Sequence, residues 1–434
     1  MRTRSAAPVL VGRIGEIAAL TSALDVVRGG RLAAVFLTGD AGVGKTRLVE
    51  HLVATATRDG ATVLSGGALD IAESPPFWPV VSALRRLLRS PGGERAAELL
   101  APWSAQLDEL LTPDPAAPPP DVAQSRVRTL ELLHRMVLRL AEESVVVLAV
   151  EDLQWVDRST RDLLAYLIAN LAAERVLVVA THRAERRSDT SAARAMIGEL
   201  SRHRQVRAIE VPPLSRTAVG ELVAASAPGR PDLVERVWNR SAGNAFIAEE
   251  TLRAALDGDP AALPVTLREL VLSRLARLSA PARHTVRAVA LAEGPLPHRL
   301  LEAVLDVGPT LLDAVREAVD AGVVVVDSGT GGSSAADQES YRLCHGLLTE
   351  VVVGELLPGE RMDLHRRHAT ALAGGWVREL PGVEARLAHH WQAAGETGPA
   401  LAAAVAAARA ALRIRGYAEA HRHWLRAARL ADAL

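Results

Sequence analysis

Lys45 is the only lysine among the 50 lysine and arginine residues of this 434-residue chain. It lies in Gly39-Asp40-Ala41-Gly42-Val43-Gly44-Lys45-Thr46, a run that fits the phosphate-loop spacing G-x-x-x-x-G-K-S/T. An ammonium is a compact point charge on a flexible stem, able to reach between two phosphates. A guanidinium is planar, bulkier and suited to bidentate partners. A composition that elsewhere uses arginine for every positive charge keeps a lysine at this one place. Glycines let successive N–H groups converge on phosphate oxygens at a helix N-terminus, where the helix dipole adds attraction. Thr46 is expected to ligate Mg2+ through its hydroxyl. The predicted phosphate set is Gly39, Asp40, Ala41, Gly42, Val43, Gly44, Lys45, Thr46 and Arg47, and the predicted ligand is a nucleoside triphosphate.

A second chemical centre follows the apolar run Val145–Val150, which leads into Glu151-Asp152-Leu153-Gln154-Trp155-Val156-Asp157. Carboxylates at the carboxyl end of a central parallel strand face the crevice where ligands bind. Glu151 is expected to hold the Mg2+ shell with Thr46, and Asp152 to orient or activate the attacking water. Lys45, Glu151 and Asp152 are therefore the predicted catalytic set. The competing reading has the acidic pair merely cap the next helix, a role expected for Asp157 in any case. A third run, Val178-Val179-Ala180-Thr181-His182-Arg183, ends in a cation suited to touch a γ-phosphate. Arg183 is the candidate sensor, with Thr181 a lesser contributor; the alternative is an ordinary surface arginine.

These residues need a scaffold, and the first half supplies one. Candidate strands Ala33–Leu37, Thr62–Leu64, Val145–Val150, Val176–Ala180 and Val206–Val211 alternate with helical patterns at Lys45–Thr57, Val122–Glu142 and Ser159–Leu171. Such alternation predicts a parallel sheet covered on both faces. A long helical insert with Pro113, Pro115 and Pro118–Pro120 separates the second and third strands. After Val211 the pattern is helical: Arg216–Ala225, Asp232–Arg240 and Ala245–Leu256 predict a small lid. Helices near Leu267–Leu278, Ala280–Ala292, Pro297–Asp306 and Leu311–Ala321 follow. Strands Val323–Val326 and Tyr341–Cys344 flank a loop from Ser328 to Ser340. Helices closed by a two-stranded hairpin describe a winged helix. Ala-rich segments Gly382–Ala394, Pro399–Arg415 and Ala418–Ala433 predict the opening hairpins of a helical repeat array. The predicted domains are 1–211, 212–262, 263–357 and 358–434. An array stopping after its first hairpins leads us to expect a chain cut from a longer gene product.

Composition bounds the rest. Hydrophobic residues make up 49% and charged residues 23%, as in a globular protein. The net charge of −1 gives no global footprint for nucleic acid. The single cysteine, Cys344, excludes an internal disulfide, suits a reducing cytoplasm, and reads as a buried structural thiol. No run approaches the roughly 18 apolar residues of a membrane span, so no membrane contact is expected.

Together the motifs resemble the signal-transduction ATPases with numerous domains (STAND), within the AAA+ class, and in particular the large ATP-binding regulators of the LuxR type. Val11-Gly12-Arg13 with Glu16 is similar to the family's opening G-R-x-x-E segment, which implies that Gly12 and Arg13 lie against the adenine. Ile14 stands where an acid is frequent. Glu151 to Asp157 and Val179 to Arg183 are similar to the acidic and sensor strands. Ser241-Ala242-Gly243-Asn244-Ala245-Phe246 resembles the lid motif G-N-P-F/Y with Ala245 in place of proline, which leaves Gly243 and Asn244 chiefly as a helix start. Tyr341-Arg342-Leu343-Cys344-His345 resembles the winged-helix strand whose histidine touches the β-phosphate of bound ADP; for His345 the alternative is a cap on the next helix.

The resemblance implies an α/β P-loop NTPase of AAA+/STAND type with a parallel sheet, then a helical lid, a winged helix and the start of a helical repeat array. It implies ATP/ADP and Mg2+ as ligands, slow ATP hydrolysis, and self-association in the ATP state. It also implies an inducer or protein ligand at the C-terminal repeats, and DNA contact only through a C-terminal domain not in this chain. Two alternatives stand beside the LuxR-type switch. One is a nucleotide-binding scaffold that does not hydrolyse. The other is an origin-initiator-like DNA-binding ATPase, which needs a basic wing; the loop from Ser328 to Ser340 carries Asp337 and Glu339 and no arginine.

Overall fold

A computed structural model describes residues 10–68, 76–90, 93–111, 122–171, 173–183, 192–257, 267–292, 294–305, 310–328, 339–374 and 382–434. Five apolar segments form a sheet: β1 (Ala33–Gly39), β2 (Thr62–Gly67), β3 (Val146–Glu151), β4 (Val176–Arg183) and β5 (Val206–Glu210). Their order is β2-β3-β4-β1-β5, and every pairing is parallel. The central strands are unbroken Val/Leu/Ala runs because both faces of the sheet are covered. Phe36, Leu148 and Val178 face one core with the insert residues Leu133 and Met136. Val35, Val147 and Leu177 face another with Leu48 and Leu52 of the helix Lys45–Arg58.

Several strands run further than their apolar stretches suggest, β2 as far as Gly67. β1 reaches Gly39 and β4 reaches Arg183, because parallel pairing continues to the Gly39–Arg183 pair. β4 lies between β1 and β3, so the phosphate loop, the acidic pair and Arg183 emerge side by side at one carboxyl edge. The insert between β2 and β3 holds helices Trp78–Arg89, Gly93–Leu100, Ser104–Leu111 and Val122–Glu143. The proline run expected as a linker, 113–120, lies outside the described residues.

The segment expected to form a lid holds helices Arg216–Ser226, Asp232–Ser241 and Ala245–Asp257, packed around Val219, Leu222, Leu233 and Val237, with Val11 of the N-terminal segment in the same cluster. Helices Leu267–Ala276, Ala280–Leu291, His298–Leu305 and Thr310–Asp320 follow, with β6 (Leu296–Pro297), β7 (Val324–Ser328) and β8 (Glu339–Leu343). The expected two-stranded hairpin is a three-stranded antiparallel sheet, β6-β8-β7. β6 has only two residues and ends in a proline, so no periodicity announces it, and the following helix starts at His298 instead of Pro297. Residues 329–338 of the expected wing loop lie outside the described residues.

Helices Gly346–Glu355, Pro358–Ala373, Val383–Ala393, Thr397–Arg413 and Tyr417–Asp432 complete the chain. Ala388, Ala400, Ala404 and Ala427 line the contact between the last three, where small side chains allow close approach. The final helix also returns to the sheet region. Glu419, fully buried, accepts from the Arg158 N–H (2.9 Å) and the Ser159 hydroxyl (2.7 Å). No helix of the described residues is long and apolar enough to cross a membrane.

Candidate functional site

The phosphate loop turns on three glycines of positive φ: Gly39 at 150°, Gly42 at 82° and Gly44 at 104°. At Gly42 a Cβ would lie 2.6 Å from Asn244 Oδ1, so the close approach itself requires glycine. Lys45 is buried, and its Nζ donates to the Gly39 carbonyl (2.7 Å) and the Asp40 carbonyl (2.8 Å). Burial pushes its ammonium down to about 8; Asp152 opposes this and Arg183 adds to it. The first N–H groups of the helix beginning at Lys45 have no acceptor within their own helix. A phosphate fits here: it would accept from those N–H groups and take Lys45 from its own loop.

Glu151 closes β3 half-buried, with the Thr46 hydroxyl beside its carboxylate. Burial pushes its carboxyl up to about 7, with the neighbouring Thr46 hydroxyl opposing. One hydroxyl and one carboxylate side by side are hard oxygen donors of the kind Mg2+ uses together with substrate phosphates. Asp152 follows in the left-handed region, φ 58° and ψ 57°. For a residue with a Cβ this costs on the order of 1–3 kcal/mol and persists only where neighbours over-determine it. They do here. The Asp152 N–H donates to Thr181 Oγ1 (2.9 Å), Gln154 Nε2 donates to Asp152 Oδ1 (2.7 Å), and Arg183 Nε lies 3.5 Å from the same oxygen.

Arg183 is largely buried. Beyond Asp152 it reaches Glu350 (Nη1 to Oε1, 3.7 Å), and a Cβ on Gly346 would lie 2.7 Å from its Nη2. The sensor candidate therefore touches the helix Gly346–Glu355 as well as the acidic strand. His345 precedes that helix and caps it, with Nδ1 accepting from the Leu347 N–H (3.1 Å). The acceptor role on Nδ1 puts the neutral ring's proton on Nε2. The ring stacks on Phe246, centroids 4.1 Å apart at 17°. Burial, then Arg183, pushes the imidazole down to about 4, with Lys45 and Arg47 acting in the same direction.

Several residues make contacts that the sequence reading did not name. Arg47, expected on phosphate, forms a two-pronged pair with Glu249 of the lid segment, Nη1 on Oε1 and Nη2 on Oε2; a guanidinium fork finds its carboxylate in preference to a point contact. Asn244 is more than a helix start. It caps through Oδ1 to the Ile247 N–H (3.2 Å), while its Nδ2 donates to the Ala41 carbonyl (2.8 Å). The Phe246 N–H donates to the Gly42 carbonyl (2.9 Å). Gly12 (φ 63°) lies against Ala218 of the lid segment. Arg13 is buried, donating to the Val43 carbonyl (2.7 Å) and pairing with Glu16 (2.9 Å), so it braces the loop from behind. Asp157 is the expected cap, accepting from the Thr160 N–H (2.8 Å), and it also holds the Phe77 N–H (3.0 Å). Cys344 is largely buried, which pushes its thiol up to about 11. Glu249 and Glu350 carried no motif signal; Gln154 stood inside the acidic-strand segment Glu151 to Asp157 without a role assigned to it.

Residues 9–179 match the family model of the AAA ATPase domain. An uncharacterized protein of Rhizobium meliloti (strain 1021) is 25% identical over 393 residues, which cover 84% of this chain and 37% of that protein. A solved structure from Pyrococcus horikoshii, a Signal Transduction ATPase with Numerous Domains (STAND) protein with a tetratricopeptide repeat sensor, overlays with a TM-score of 0.56 at 14% identity. That overlay covers 95% of this chain and 53% of the other. The chain thus spans less than two thirds of either relative. It has a parallel-sheet P-loop AAA fold followed by a mostly helical C-terminal region, and in this it resembles the STAND structure.

Proposed function

We propose that this chain, with its AAA ATPase domain over residues 9–179, is an ATP/ADP-dependent signal-transduction switch with slow hydrolysis. In this reading it is the regulatory ATPase portion of a LuxR-type transcriptional activator. The observation that carries the proposal is the convergence of three parts of the chain on the phosphate loop. Asn244 and Phe246 of the lid segment hold its carbonyls. Arg183 at the sheet edge reaches Glu350, and His345 stacks on Phe246. A ligand shifts a conformational equilibrium only through its differential affinity for the two states. A γ-phosphate engaging Arg183 would compete with Asp152 and Glu350 for that guanidinium and so favour a state with the helix Gly346–Glu355 released.

Lys45 and the loop N–H groups would bind the phosphates. Mg2+, held by Thr46 and Glu151, would offset their charge. Asp152 would orient the attacking water and accept its proton. His345, with its proton on Nε2, would donate to the β-phosphate of ADP and hold the closed state. Self-association in the ATP state, an inducer at the C-terminal helices, and DNA contact through a domain outside this chain complete the reading, in a cytoplasmic protein.

Nucleotide content and single-turnover ATP hydrolysis of the purified chain test it. Lys45→Ala is expected to lose bound nucleotide, and Asp152→Ala to retain it without hydrolysing. Equal ATP affinity in wild type and Lys45→Ala would overturn the site.

A further inference from the structure

We propose that Gln154 is the positioning residue for Asp152, aiming its carboxylate and tying it to the end of β4. The inference rests on reading Asp152 as the group that orients water. Gln154 sits on the short turn Leu153–Trp155, closed by the Trp155 N–H on the Asp152 carbonyl (2.9 Å). Leu153 is fully buried and anchors that turn in the core.

The side-chain amide has a fixed polarity here. Its Oε1 accepts from the Arg183 N–H (3.1 Å), which leaves Nε2 to donate to Asp152 Oδ1 (2.7 Å). A flipped amide would set donor against donor and acceptor against acceptor. The Arg183 guanidinium approaches the same Oδ1. Among the described residues both side-chain contacts therefore fall on Oδ1, and Oδ2 is left to accept a proton from water. The carboxylate is partly exposed, at 37%, so water can reach it. Gln154 thereby connects the acid with the main chain of the residue proposed to sense phosphate, and a shift of Arg183 would be felt at Asp152 without any new contact.

The test uses Gln154→Glu, which keeps size and the acceptor for Arg183 but turns a carboxylate oxygen toward Oδ1 in place of an N–H. Single-turnover ATP hydrolysis is expected to fall by roughly 10²-fold, the scale of a misplaced catalytic group, with ATP affinity unchanged. Gln154→Ala should fall too, and Gln154→Glu should add nothing in an Asp152→Ala background. Wild-type hydrolysis by Gln154→Glu beside an inactive Asp152→Ala overturns this inference alone. A loss of ATP affinity matching the loss of rate assigns Gln154 a structural role and overturns it too. Hydrolysis by Asp152→Ala at the wild-type rate overturns the reading beneath it.

Discussion

His345 has two roles that a single substitution confounds. Its Nδ1 caps the helix Gly346–Glu355, while its ring stacks on Phe246 in a cationic neighbourhood. His345→Ala is expected to lose about 1 kcal/mol of capping and also to release ADP faster. His345→Asn restores the cap, since a side-chain oxygen can accept from the same N–H, but it does not restore the phosphate contact. Stopped-flow release of a fluorescent ADP should therefore be fast in both variants, and slow release from His345→Asn would leave capping as its only role. The residues legible from sequence were those whose chemistry is local. Lys45, Thr46 and Glu151 are announced by spacing and by an apolar strand. The side-chain partner of Arg47, Glu249, could not be read from sequence because it lies 202 positions away. No local pattern distinguishes a lysine-like contact from a fork awaiting a carboxylate.

At the scale of elements, burial decides what a sequence discloses. β1, β3 and β4 are buried on both faces and show as apolar runs, whereas β6 is two residues paired with β8 and has no pattern to show. The return of the helix Tyr417–Asp432 to the sheet region is equally silent, because Glu419 meets Ser159 across 260 positions. That carboxylate gives the helix Arg158–Asn170 an acceptor for its first N–H and for the Ser159 hydroxyl, beside the buried Asp157, whose own carboxyl is pushed up by burial and by Glu419. Glu419→Ala leaves the Arg158 N–H and the Ser159 hydroxyl without an acceptor in a dry place, at a cost of about 1–3 kcal/mol. Hydrogen exchange is expected to quicken in both helices, Arg158–Asn170 and Tyr417–Asp432, and to stay unchanged in Val383–Ala393. Uniform quickening would mean that the contact is not local in its effect.

Across the whole molecule, buried imidazoles set how stability follows pH. His365 and His390 share a hydrogen bond (2.8 Å), His368 stacks on His390 (4.9 Å), and His368 Nε2 donates to the Ala288 carbonyl (3.0 Å). The cluster thus joins helices Pro358–Ala373 and Val383–Ala393 to Ala280–Leu291. His389 and the buried Arg386 face it from the second of these helices, and Arg361 from the first. Burial pushes His365 down to about 3, His368 to about 4 and His390 well below its ordinary value. His345, His134 and His284 shift the same way. The buried His365, His368 and His390 are neutral when folded but protonate in the unfolded chain below about pH 6.5, so the unfolded state binds more protons there. Stability is present above that pH and is lost as pH falls, at about 1.4 kcal/mol per pH unit for each group. Glu151, Asp157 and Glu249 are pushed up and act in the opposite direction. The share that His365, His368 and His390 contribute is a loss on acidification, set against the gain from those carboxyls. The cluster's own contribution to the melting temperature should therefore fall between pH 7.5 and pH 5. His368→Gln isolates one term, because the Gln amide can still donate to Ala288 but does not titrate. Its loss over the same interval should be shallower by the share of one group, and an identical slope in the variant would remove this cluster from the account.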